Sequence, residues 1–252
     1  KIDYDSPKTS LMNLLEAFII FASAVLSGML FFLFPWNSNK LKLLLSLSGA
    51  YLFAITVLHL IPEIYSTGDH LIGIYLLAGF FLQLILDYFS EGIEHGHIHV
   101  HHHHGKAIVP FTMLLSLCIH AFFEGMPVGG THNEHTSDML VFGIVIHNIP
   151  IALALMSLLS QTGIAKSKSI LLLSIFAIMT PLGMLLSAYL SHAQAIDLSS
   201  YYQKIMAVVI GIFLHISTTI LFESSENHRF NLQKFGVIIL GTLMALGTVF
   251  MF

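Results

Sequence analysis

The chain has 252 residues, of which 56% are hydrophobic and only 10% charged, and its mean hydropathy is +0.83. A soluble domain carries about 25% charged residues, so this composition excludes a soluble globule and makes the lipid bilayer its surroundings. A net charge of −4 without any Lys/Arg cluster gives nucleic acid nothing to hold, and the single Cys118 excludes both an intramolecular disulfide and a cysteine-built zinc site. No n-region with a cleavage site is visible, so no targeting peptide is assigned.

Eight segments are apolar for close to the roughly 20 residues that cross a bilayer. They fall at 12–35, 41–64, 70–91, 107–130, 138–160, 168–191, 202–223 and 234–252. Short polar or glycine-containing joints separate them, as in a compact helical bundle, and one longer loop follows the third span. The expected architecture is all-α: a single transmembrane domain over 1–252, with a His-rich loop at about 92–106.

Orientation follows from the basic residues, which concentrate in cytoplasmic loops. The N-terminus and the loops after spans two, four and six hold Lys1, Lys8 and Lys204. The other side holds Lys40, Lys42, Lys106, Lys166, Lys168, Arg229 and Lys234. Seven against three places the odd-numbered loops in the cytoplasm and both termini outside.

Ionisable residues inside the spans are functional candidates by default, because each costs about 2.5–3.5 kcal/mol on insertion scales. In chain order, His59 and Glu63 bracket Pro62 at the outer end of span two, where an entrance would lie. Asp87 and Glu91 close span three on the inner side, where an exit would lie. The loop that follows places His95, His97, His99, His101, His102, His103 and His104 within ten residues. Such tracts bind metal loosely at neutral pH. His215 lies about two-thirds through span seven, and Glu223 ends it on the inner side.

The centre of the pattern is in spans four and five. His120 and Glu124 are four residues apart, which places them on one helical face. His147, followed by Asn148, lies in the next span. At 1.5 Å per residue both histidines lie about 14–15 Å from the joint between the spans, so antiparallel neighbours bring them to one level near the bilayer midplane. Transporters keep their substrate at that depth. A lone intramembrane histidine is often a packing residue, but three groups converging at one depth suit a divalent transition metal. Zinc comes first on chemical grounds, with iron, cadmium and manganese as alternatives. Pro127 and Pro150 lie in or near the same stretches and free backbone carbonyls there.

These residues resemble the ZIP (Zrt-, Irt-like) family of divalent metal transporters, over essentially the whole chain. The resemblance rests on His59-Leu-Ile-Pro62-Glu63, on Gly79-Phe-Phe-Leu in span three, and on the His-rich loop. It rests further on His120-Ala121-Phe-Phe-Glu124-Gly125 and His147-Asn148-Ile149-Pro150-Ile151-Ala152. It implies a 3+2+3 bundle whose outer triplets are inverted repeats, with metal bound between helices four and five and passed to the cytoplasm by alternating access. A homodimer and the plasma membrane are compatible with it. Many family members hold two metals bridged by carboxylates from helices four, five and six. Here Ile151 and Thr180 stand at two of those positions and Ala121 replaces an Asn, which leaves His120, Glu124 and His147 as ligands, with Asn148 as a weak neighbour.

Three functional readings follow. The first is divalent-metal import, zinc preferred. The second is a metal-binding membrane sensor or scaffold without transport, for which Ile151 and Thr180 speak. The third, an intramembrane metalloenzyme, has the least support, since no His-Glu-x-x-His motif occurs; the chain is read as a non-enzyme.

Overall fold

A computed structural model describes residues 7–34, 36–66, 68–90, 92–93, 102–103, 106–107, 111–130, 134–192, 198–223 and 232–251. Eight helices in it are long and apolar enough to cross a membrane. They are α1 (Pro7–Leu30), α2 (Ser38–Tyr65), α3 (Ile72–Ser90), α4 (Phe111–Gly130), α5 (Glu134–Gln161), α6 (Lys166–His192), α7 (Leu198–Glu223) and α8 (Leu232–Met251). The described part of the histidine loop holds a two-residue antiparallel pair, His102–His103 with Lys106–Ala107.

Boundaries follow local chemistry. The Asn37 side chain accepts the Lys40 N–H at 2.9 Å and caps the start of α2, supplying one of the acceptors that a helix N-terminus lacks. α5 starts at Glu134, a turn earlier than its apolar run suggests, because His135, Thr136 and Ser137 read as a joint yet are helical. α4 starts at Phe111 rather than at 107.

α2 contains a π-helical turn, Thr56–Leu60, closed by the Ile61 N–H on the Thr56 carbonyl. Pro62, two residues beyond this turn's end, cannot donate to the fourth carbonyl behind it. A ladder that slips by one residue just before such a break is the usual form of a π-bulge.

Burial separates central helices from peripheral ones. In their most apolar stretches α5 is 72% buried and α4 67%, against 28% for α1, 22% for α3 and 17% for α8. Large side chains such as Phe18, Leu33, Leu77 and Leu243 stay exposed on the outer helices, as a lipid-facing surface requires. The core is formed largely by α5 and α7, with Ile144, Ile151, Leu155, Ile210 and Phe213 fully enclosed.

The two most extensive helix pairings are α4 with α6 and α3 with α7, and glycine makes both. A side chain on Gly125 would collide with the Thr180 carbonyl, and one on Gly183 with the Phe122 carbonyl. Gly79 faces the Val208 carbonyl, and Gly211 the Leu76 carbonyl, in the same way. Without a hydrophobic drive between helices in lipid, close backbone approach at small residues is the main source of packing energy.

Candidate metal centre

His120 is the tenth of the 20 residues of α4, and His147 the fourteenth of the 28 of α5. Each thus lies near the middle of one of the two most enclosed helices. Glu124 lies one turn from His120, and all three side chains have no exposed surface. One ligand atom from each lies within 4.8 Å of the others, the sole such group of three among the described residues.

The distances suit an ion. His120 Nε2 and Glu124 Oε2 are 3.9 Å apart, too far for a hydrogen bond. The His120 and His147 rings stand edge to face with centroids 6.0 Å apart. Zinc bonds to N and O of about 2.0–2.2 Å at tetrahedral angles set ligand atoms roughly 3.3–3.5 Å apart. Small side-chain adjustments therefore close the group around one ion. Without a cation, a fully buried carboxylate pays a desolvation penalty of several kcal/mol, and a neutral imidazole offsets little of it.

The sequence places these groups by simple means. The i, i+4 spacing stacks His120 over Glu124, and α5, which begins four residues after α4 ends, brings His147 alongside. Pro127 and Pro150 are buried inside α4 and α5. By geometry each removes the helical donor of the carbonyl four residues back, at Phe123 and Ile146. Those residues immediately precede Glu124 and His147.

Asn148 is 2% exposed, and its Oδ1 has no hydrogen-bond partner among the described residues. Ile151 and Thr180 are both buried. The Thr180 backbone carbonyl lies against Gly125, the neighbour of Glu124. Cys118 is buried and free, a packing residue.

Several other candidates are placed apart from this group. His59 and Glu63 do meet near the C-terminal end of α2, with Nε2 to Oε2 at 3.7 Å. Thr136 of α5 joins them, lying 3.3 Å from His59 Nε2 and donating its hydroxyl to Glu63 at 3.3 Å. The His135 ring stands against His59 with centroids 5.4 Å apart. Asp87 is half-buried on α3, a turn beyond Gln83. His215 is buried against Phe80, ring centroids 5.0 Å apart, and is not part of the central group. Glu91, His95, His97, His99, His101 and His104 lie outside the described residues. For His102, His103 and Glu223 only the backbone is described.

Sequence reasoning missed three residues. His135 and Thr136 fell in what read as a joint, although a histidine at the start of the fifth span, three helices on from His59-x-x-x-Glu63, was a usable signal. Gln83 lies within the apolar run of α3, is fully buried, and meets His120 Nδ1 through Oε1 at 3.2 Å. An amide in the middle of a span was its only signal.

Comparison with known proteins adds an independent line. Zinc transporter ZIP1 of Danio rerio is 34% identical over 94 residues, which are 37% of this chain and 30% of that protein. Zinc transporter ZIP9 of Micropogonias undulatus is 29% identical over 156 residues, 58% of this chain and 49% of that protein. Protein zntD of Dictyostelium discoideum is 24% identical over 162 residues, 61% and 23% respectively. The matched stretch thus spans less than half the length of each of these relatives. A family model described as ZIP zinc transporter matches residues 95–251, more than half of the chain. That match takes in all three clustered ligands and runs through α4 to α8, and the chain belongs to the ZIP zinc transporter family.

Proposed function

We propose that the chain carries divalent metal, zinc foremost, across the membrane toward the cytoplasm through a midplane site between α4 and α5. The observation that carries this reading is the wholly buried His120–Glu124–His147 group, with ligand atoms within 4.8 Å of one another at the middle of the two most enclosed helices. Two imidazoles and one carboxylate favour zinc over ions that demand all-oxygen cages, with iron, cadmium and manganese as lesser substrates. Asn148, whose buried Oδ1 otherwise requires an explanation, supplies a fourth, weaker oxygen.

The path runs from an outer mouth to an inner exit. His59 and Glu63 receive the ion at the mouth, assisted by His135 and Thr136. Asp87, Glu91, His215 and Glu223 serve the inner half, and the His95–His104 tract buffers metal on the cytoplasmic side. This reading has both termini outside, a 3+2+3 inverted-repeat bundle, a multi-pass location in the plasma membrane, and a homodimer as the assembly. Transport rather than catalysis fits the zinc transporter family to which the chain belongs.

A second reading, a metal-binding sensor or scaffold that does not transport, draws on Ile151 and Thr180 standing where the resemblance implies carboxylates. Zinc uptake into sealed vesicles containing the purified chain, run beside a count of ions bound per chain, separates the two. Saturable uptake with one tightly bound ion supports the carrier. Tight binding without uptake supports the sensor.

A further inference from the structure

We propose that Gln83 is a positioning residue that fixes His120 as a metal ligand through Nε2 and keeps that ligand weak enough to release its ion. The proposal rests on the site reading above. A neutral imidazole offers a lone pair on one nitrogen and carries its proton on the other. Gln83 Oε1 lies 3.2 Å from His120 Nδ1. An acceptor there holds the proton on Nδ1 and leaves the Nε2 lone pair toward Glu124 Oε2, 3.9 Å away. The other tautomer would aim a proton into the metal group. Histidine ligands are generally oriented in this way by a hydrogen bond to the ring nitrogen that does not bind metal.

The surroundings favour a maintained contact. α3 is mostly lipid-facing, yet Gln83 is fully buried, and a buried amide is costly unless hydrogen-bonded. One turn earlier, Gly79 brings the α3 backbone against the Val208 carbonyl of α7, which fixes the height of the helix. One turn beyond the contact, the Ser116 hydroxyl of α4 donates to the Leu86 carbonyl of α3. The α3–α4 seam is thus tied at two consecutive levels.

The amide also has a chemical consequence. A carboxylate at this place would polarise the imidazole and strengthen its bond to metal, as in carboxylate–histidine–zinc triads. A neutral amide orients the ring with less polarisation. That combination suits an ion that passes through rather than one that stays.

The test uses the full-length chain purified in detergent, with zinc affinity measured by competition against a chromophoric chelator and cobalt(II) absorption reporting ligand geometry. Gln83→Met, similar in length but lacking the acceptor, is expected to bind zinc about 10–100-fold more weakly and to lose the tetrahedral cobalt spectrum. Gln83→Glu, which only accepts once its carboxyl is ionised, is expected, at a pH where it is ionised, to match or exceed the parent's affinity and to release zinc more slowly. A merely structural Gln83 would give loss in both variants, and that result overturns the proposal, as does parental affinity in Gln83→Met. Should Gln83→Met fail to fold, Gln83→Glu decides alone: affinity at or above the parent's supports the role and weaker binding overturns it. His120→Ala in the same assay tests the site itself, because tight zinc binding retained there removes the site reading, not merely Gln83's part in it.

Discussion

His120 and His147 stand ring edge to ring face, centroids 6.0 Å apart, although they belong to different helices. Glu124 completes the group from one turn along α4. If these three buried groups are the ligands, the weak Asn148 oxygen is too poor a donor to replace one that is lost. His120→Ala, Glu124→Ala and His147→Ala should therefore each weaken zinc binding by more than the roughly 10–100-fold that loss of a supporting hydrogen bond costs. Each should abolish vesicle uptake. Isothermal calorimetry and zinc flux report these outcomes, and normal flux in any of the three removes the site.

Replacing Ile151 and Thr180 together with Glu should create room for a second ion. Both positions are buried, so the new carboxylates are costly without a cation. Zinc should raise the unfolding temperature of this double variant more than that of the parent, because binding to the folded state alone stabilises it by mass action. Stoichiometry should rise from one ion to two. A parent that already holds two ions in its core contradicts the mononuclear assignment.

Removal of residues 95–104 should lower the total zinc bound while leaving the tight component intact. The central ligands lie in α4 and α5, and the tract precedes α4 in the chain. Loss of the tight component on deletion would move the site to the tract.

Topology is tested by labelling. A cysteine at Gly105 should react only from the cytoplasmic side, and one at Thr131 only from outside. The opposite pattern would reverse the direction assigned to the path.

The spans were legible because twenty apolar residues in a row leave few alternatives to a crossing helix, and the meeting of His120, Glu124 and His147 because i, i+4 spacing and consecutive spans dictate where side chains meet. His120, Glu124 and His147 needed no knowledge of packing. What the sequence hid were contacts set by rotation and crossing of helices distant in the chain. Gln83 meets His120 only because α3 crosses α4 at that height, which the close approach of Gly79 to the Val208 carbonyl one turn earlier helps to set. The π-turn at Thr56–Leu60 changes which face His59 presents, and only Pro62 hinted at it. Thr136 was obscured by its own polarity, since hydrophilic residues at a helix start look like a loop. His215, read from its depth as part of an entrance or exit, lies with its ring against Phe80 and outside the central group.

The contact of Gly125 with the Thr180 carbonyl has a mechanical consequence. Backbones pressed together this closely behave as a single stiff beam, because sliding by part of a turn would drive side chains into the opposing carbonyls. α4 and α6 form one such beam, and α3 and α7 form another. Any change in which side of the membrane reaches His120 must then be taken up along the slacker seams, such as those between α4 and α5 or between α5 and α6. The ion and its α4 ligands would keep a constant height against α6 while the surrounding walls trade places.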